Sequence, residues 1–459
     1  MRLSSAVHFV GISGIGMSAL ARILLQRGFT VSGSSDRATA LTARLAAEGA
    51  QIAIGHDARN IGTAGTVVVS TAIGDANPEV VAARERDVPI VHRGALLAQL
   101  MDGRRGIAIA GTHGKTTTTA MVARVLEAAG LDPSVAVGGE RIDTGSNARN
   151  GDGPWFVAES DESDGSFLEL RPEIAVVTNI DNDHVDSAAE FAALIGKFAT
   201  FLAGLPSDGL AFVGIDEERA AALAGPPRAA RTRTFGFGPS DVRALDVRYA
   251  GFGSRSTIVV DGVPLGELRL NVPGSINVLD ALPALGIALE LGVPFAQAAA
   301  ALEGFPGVRR RFEILSRGPR MLLVDDYAHH PTAVEATLAA ARAGFAGPLV
   351  VAFQPHRYSR TKQLGADFAR ALRGADLVVL APVYAASEAP EAGIDARTIG
   401  APLAAAGTRV EYVDDVADLP AHLLERAPQG AMVLCLGAGS ITAAAARLAE
   451  ALEPKAVAT

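Results

Sequence analysis

The 459-residue chain has a single cysteine, Cys435, so no internal disulfide framework is available and a reducing compartment suits it. Aromatic residues make up 5%, and lysine is nearly missing: of 41 basic residues only Lys115, Lys197, Lys362 and Lys455 are lysine. No uninterrupted apolar run reaches the ~18–20 residues that span a bilayer. The mixed stretch after Arg2 is broken by Gly11, Ser13, Gly14 and Gly16, so it reads better as a strand, a glycine turn and a helix than as a signal peptide. No membrane role is expected, and the cytoplasm is the expected location. A net charge of −9 argues against nucleic acid as a partner but leaves small anionic substrates open. What the chain does have is apolar bulk, 49% hydrophobic against 20% charged, enough for the large cores of roughly two to four domains.

Against that lysine-poor background, one lysine stands in a telling place. An apolar β-type segment, Ile107-Ala108-Ile109-Ala110, leads into Gly111-Thr112-His113-Gly114-Lys115-Thr116-Thr117, and a helical pattern follows through Met121, Val122, Val125 and Leu126. A strand, a glycine turn, Lys-Thr and a helix together wrap backbone N–H groups around phosphates. The lysine supplies charge to the outer phosphates and the next hydroxyl can ligate Mg²⁺. A compact ammonium serves this better than a planar guanidinium. Ile109 stands where the usual Walker pattern has its first glycine, so the loop is a shorter G-x-x-G-K-T variant.

Three α/β segments are expected. In the first, Val7-His8-Phe9-Val10 leads into a turn fitting G-x-G-x-x-A over Gly14, Gly16 and Ala19, with Asp36 near the end of the second strand. That pattern places a phosphate at a helix N-terminus without saying which nucleotide carries it. In the second, two further apolar strands end in ligand-type side chains. Phe156-Val157-Ala158 leads into Glu159-Ser160-Asp161-Glu162-Ser163-Asp164, where a carboxylate is placed to hold Mg²⁺. Ala175-Val176-Val177 leads on to Asp181-Asn182-Asp183-His184, with a metal or phosphate role open for His184. A hairpin turning at Asp261-Gly262 and a helix after Asn277 follow. The third segment repeats buried strands ending in Asp325-Asp326-Tyr327-Ala328-His329-His330 and in Gln354-Pro355-His356-Arg357-Tyr358-Ser359-Arg360. If a helix begins there, Arg357 and Arg360 face one side and can grip a carboxylate.

The strings GISGIGMSALA, AGTHGKTTTT, AESDESDGSFL, VVTNIDNDHVD, RRFE, DDYAHHPT and FQPHRYSRT, spread over nearly the whole chain, resemble the Mur ligase family, and within it the alanine-adding branch. The resemblance implies an α/β fold of three domains. These are a Rossmann-like UDP-sugar-binding domain over 1–104, a central ATP-binding P-loop domain over 105–313, and a C-terminal Rossmann-like amino-acid-binding domain over 314–459. It implies ATP-dependent joining of L-alanine to UDP-N-acetylmuramate through an acyl phosphate, with Mg²⁺, in peptidoglycan precursor synthesis. Residue by residue, Gly11, Ser13, Gly14, Gly16 and Met17, with Ser70 and Thr71, resemble the UDP-diphosphate site, and Asn147 and Arg149 an element near the muramoyl group. Gly111 to Thr117 resemble the ATP phosphate site, with Thr116, Glu159 and His184 around magnesium. Asn277 resembles an adenine contact, Arg311 a phosphate contact and Asp325 a ribose contact. His329, His356, Arg357 and Arg360 resemble the residues receiving alanine, and one histidine among His329, His330 and His356 is a plausible base.

The chain departs from the family in four places: Ile276 stands for histidine, Asp280 for asparagine, Ser440 for aspartate, and Asp36 comes one residue late in Ser34-Ser35-Asp36. Competing readings are a recycling ligase that adds a tripeptide to the same nucleotide, an NAD-dependent oxidoreductase built on the first glycine turn, and a non-catalytic nucleotide-binding scaffold.

Overall fold

The computed structural model describes residues 3–182, 187–225 and 230–453. Among them the backbone forms three sheets, each flanked by helices. The first is all parallel, in the order Gln51–Ile54, Thr30–Ser35, Ala6–Val10, Thr66–Val69, Ile90–His92. Its strand order reverses beside Ala6–Val10, which opens a crevice at the carboxyl ends where the Gly11–Gly16 turn lies.

In the middle sheet, Arg105–Ala110 lies between Ile174–Val177 and Trp155–Glu159, all parallel. Beyond Trp155–Glu159 come Ser134–Arg141 and the antiparallel Ser146–Arg149; on the other side come Leu210–Gly214, Arg231–Gly236 and the strands from Val242 to Leu270. The expected hairpin is present: Asp261 and Gly262, at φ +51° and +78°, join Gly253–Val260 to Val263–Leu270. The third sheet runs Glu313–Arg317, Met321–Asp326, Ala431–Leu436, Leu349–Phe353, Leu377–Leu380, Arg409–Tyr412, and its first strand is antiparallel to the next.

The central parallel strands are covered on both faces, which is why they read as continuous apolar runs rather than alternations. Ile107 to Ala110 and Leu349 to Phe353 are all fully buried. Cys435 lies in such a strand, and burial pushes its thiol up, away from reactivity. No helix among the described residues is long and apolar enough to cross a membrane.

By contacts the chain forms two compact units. One comprises Met1–Leu245, Thr257–Leu268 and Leu279–Glu303, and includes the first sheet and the strands from Arg105 to Gly236. The other comprises Asp246–Ser256, Arg269–Val278 and Gly304–Thr459, with the third sheet.

Candidate active site

The phosphate-type loop has the geometry its sequence demands. Gly111 and Gly114 take φ +130° and +82°, and Gly114 caps the helix Lys115–Ala128. Neither tolerates a side chain: a Cβ would lie 2.1 Å from Thr178 Oγ1 at Gly111 and 2.2 Å from Asp280 Oδ1 at Gly114. The strand Ile174–Val177 braces the loop from the side. Asn179 Oδ1 accepts from His113 N at 2.9 Å, while Thr178 Oγ1 and Asn179 Nδ2 donate to His113 O at 2.6 and 3.0 Å. His113 Nε2 lies 3.0 Å from Asp181 Oδ2. The helix dipole and free N–H groups at such a terminus favour an anion.

Lys115 Nζ donates to Gly111 O at 2.5 Å and to Glu162 Oε1 at 3.0 Å, and its side chain is 14% exposed. Burial opposes its charge, but the Glu162, Glu159 and Asp161 carboxylates outweigh burial and hold the ammonium charged above its ordinary range. Thr116 Oγ1 donates to Glu159 Oε1 at 3.1 Å, and Gly138 N donates to Glu159 Oε2 at 2.6 Å. A lysine, a hydroxyl and a carboxylate thus meet at the ends of two adjacent parallel strands. The hydroxyl–carboxylate pair offers oxygen donors alone, the donor type that Mg²⁺ takes. His184 lies outside the described residues.

The acidic loop after Glu159 also reaches the first sheet. Arg93, just past the strand Ile90–His92, donates to Asp161 and Asp164 at 2.7 Å each. Burial works against ionising Asp161, yet Arg93 and Lys115 hold its carboxyl down at about 2. A Cβ on Gly16 would lie 3.2 Å from Arg93 Nη1, so this guanidinium borders the first glycine turn. Thr71 Oγ1 lies 3.1 Å from His92 Nε2, and Ser13 Oγ accepts from Ser35 Oγ at 2.8 Å. Met17 points into the core. Asn147 is 1% exposed and donates to Ile15 O and Ser18 Oγ at 2.8 and 3.0 Å while accepting from Arg22. These bonds tie it to the helix Ile15–Gln26. Arg149 is exposed and paired with Asp132.

In the second unit, Asp325 is the last residue but one of the strand Met321–Asp326 and accepts from Thr442 Oγ1 at 2.6 Å. Burial pushes its carboxyl up to about 6, with Thr442 and Arg310 opposing. Asp326 has a structural task, accepting from Phe312 N and Ala328 N at 2.6 and 2.7 Å. Arg310 and Arg311 lie over the Tyr327 ring at 4.8 and 5.0 Å. Asn277 donates to Pro273 O at 2.6 Å. His329 meets His356 edge-on at 5.6 Å, and Tyr384 stacks on His356 at 5.6 Å.

The helical-face argument for the two arginines is corrected. The helix begins at Tyr358, and Arg357 is its cap at φ +71°, so only Arg360 lies on a helical face. Arg357 N–H bonds Tyr384 O at 2.8 Å, and the residue is exposed, whereas Arg360 is buried. A left-handed arginine costs on the order of 1–3 kcal/mol, strain of the kind that collects at functional sites.

Sequence reading did not single out Arg93, Glu162, Gly138 or Tyr384 as site residues. Arg93 follows a strand of three residues, too short to show a pattern. Glu162 was one acid among four, with nothing to tell which meets Lys115.

Three family models match consecutive stretches of the chain: the Mur ligase family catalytic domain over residues 6–105, the Mur ligase middle domain over 109–288, and the Mur ligase glutamate ligase domain over 310–439. A UDP-N-acetylmuramate–L-alanine ligase of Geotalea uraniireducens is 46% identical over 449 residues, covering 97% of this chain and 98% of the relative. The chain belongs to the Mur ligase family. Among solved structures, the UDP-N-acetylmuramate–alanine ligase of Thermotoga maritima matches with a TM-score of 0.84 and 32% identity over 97% of this chain and 98% of that one. A murein peptide ligase of Psychrobacter arcticus shares the fold at a TM-score of 0.74 and 24% identity, covering 99% and 100%. Membership of the Mur ligase family gives the phosphate loop and all three sheets a common purpose, and the oxidoreductase reading falls.

Proposed function

We propose that this Mur ligase joins L-alanine to the muramoyl carboxylate of UDP-N-acetylmuramate with hydrolysis of ATP, as a cytoplasmic step in peptidoglycan precursor synthesis. The observation that carries this reading is the charged Lys115 seated in a glycine loop against the Glu159–Thr116 pair. It is supported by 46% identity to a relative named for that reaction over nearly the full chain.

A carboxylate is a poor electrophile, so the muramoyl carboxylate first attacks the γ-phosphate of ATP, giving an acyl phosphate and ADP. The amine of L-alanine then attacks the acyl carbon, phosphate leaves, and an amide remains. The first step brings two anions together. The ammonium of Lys115 and the N–H groups at the start of Lys115–Ala128 stabilise the charge spread over the transferring phosphoryl group. Thr116 and Glu159, with His184 from the resemblance, are the residues that would hold Mg²⁺, which when bound supplies further charge neutralisation there. The Gly11–Gly16 turn with Ser70, Thr71 and Arg93 would take the UDP-sugar diphosphate. His356, Arg357 and Arg360 would take the carboxylate of alanine, and Arg311 and Asp325 the nucleotide of ATP.

The test is product mass. Incubation with UDP-N-acetylmuramate, Mg-ATP and equal L-alanine and L-alanyl-γ-D-glutamyl-diaminopimelate should give the alanine adduct. The tripeptide adduct as main product would overturn the substrate assignment and favour the recycling ligase.

A further inference from the structure

Beneath the carboxyl edge of the first sheet lies a buried carboxylate that the proposed chemistry leaves without a task. Glu79, in the first turn of the helix Pro78–Glu85, is 0% exposed. It accepts from Ser34 Oγ at 2.6 Å, Asn60 Nδ2 at 2.5 Å and His56 Nδ1 at 3.1 Å, with His8 Nε2 at 3.8 Å. Burial disfavours its charge, but these donors overcome burial and hold the carboxyl down at about 2. A buried anion ringed by donors fixes what it touches, and His56 is the partner that leads outward. Its other nitrogen, Nε2, lies 3.0 Å from Asp36 Oδ1, on a side chain 87% exposed.

Asp36 follows the strand Thr30–Ser35, next to the strand that ends in the Gly11–Gly16 turn. An acid at that place in a nucleotide-binding α/β sheet takes a ribose hydroxyl. The residue one place earlier is unavailable, since Ser35 is buried and donates to Ser13 Oγ and Arg37 O. An exposed aspartate on a loop has rotamers to lose, and a hydrogen bond from a ring anchored below removes them before the ligand arrives. The ring of His56 thus bridges the two carboxylates, Nδ1 toward Glu79 and Nε2 toward Asp36.

We infer that Glu79 and His56 are positioning residues that fix Asp36 as the acceptor for the ribose 2′-hydroxyl of the uridine nucleotide. This rests on the proposed UDP-sugar reading of the first sheet. Calorimetry on the full chain, with UDP and 2′-deoxy-UDP as probes, tests it. UDP should bind about tenfold tighter than the deoxy compound, as one charge-assisted hydrogen bond implies. Asp36→Ala and His56→Gln should each cancel that preference, and the double variant should lose no more than either alone, because the two act as one unit. Mg-ATP affinity should stay unchanged in both. UDP binding without preference for the 2′-hydroxyl would overturn the relay alone. So would additive losses, or a His56→Gln variant that weakens UDP, 2′-deoxy-UDP and Mg-ATP alike, since that marks a merely structural histidine. No UDP binding to the unaltered chain would overturn the reading of the first sheet as well.

Discussion

Gly138→Ala should raise the Mg²⁺ requirement without replacing any proposed ligand. A Cβ there would lie 2.4 Å from both carboxylate oxygens of Glu159 and 2.5 Å from Cδ, where ordinary contact begins at 3.4 Å. Just before Gly138 the backbone is held, since Ser134, Val135 and Ala136 pair with Phe156, Val157 and Ala158, so the carboxylate is the group that gives way, by about 1 Å. That breaks the bond from Gly138 N and carries Glu159 off Thr116. A displacement of this size costs on the order of 10²-fold in turnover, about 2.7 kcal/mol of barrier. The fold should hold: Gly138 is not among the residues of positive φ, and alanine loses less backbone entropy on folding, worth roughly 0.5–1 kcal/mol. The assay is phosphate release against Mg²⁺ concentration, with a melting curve beside it. A folded variant with unchanged Mg²⁺ dependence and turnover within about threefold would refute the role given to Glu159.

Lys115→Ala should lower turnover by on the order of 10³ or more. It should also lower Tm, because Glu162 is left as an unpaired buried carboxylate; adding Glu162→Gln should restore Tm but not turnover, and an unaltered Tm in the single variant would contradict the pairing. Arg357→Ala should raise the KM for L-alanine about 10- to 100-fold while leaving that for ATP near normal, and equal losses for both would assign the arginine to the phosphates. Asp325 should show in the pH dependence of stability. Its carboxyl is raised from 3.8 to about 6, so the folded state holds this proton more tightly than the unfolded state. The stability it contributes is full below pH 3.8 and is lost as pH rises through about 6, by about 3 kcal/mol in all. Asp325→Asn should therefore raise Tm relative to the parent at pH 7 more than at pH 4.5, and a constant difference would refute this.

The central parallel strands and both glycine turns were legible because burial on two faces writes an unbroken apolar run and a phosphate turn needs glycine where φ is positive. The edge strand Glu313–Arg317 was not, since it is half-exposed and carries no such run. Lys115 stood out by its place after a strand, and Glu159 and Asp325 by theirs at a strand's carboxyl end. Pairing is a different matter: that Glu162 meets Lys115, that Asp161 and Asp164 meet Arg93, and that Asn147 is spent on a helix depend on groups brought together from 47 to 132 positions apart. Arg357 shows the same limit in the backbone. A three-residue spacing implied a shared helical face, but Arg357 takes φ +71° and the helix starts a residue later, at Tyr358.

The most direct measurement is phosphate release from Mg-ATP with each co-substrate omitted in turn. The account predicts release that requires both UDP-N-acetylmuramate and L-alanine, in step with the formation of one amide per phosphate. Steady release with either one absent, or none with both present, would contradict it.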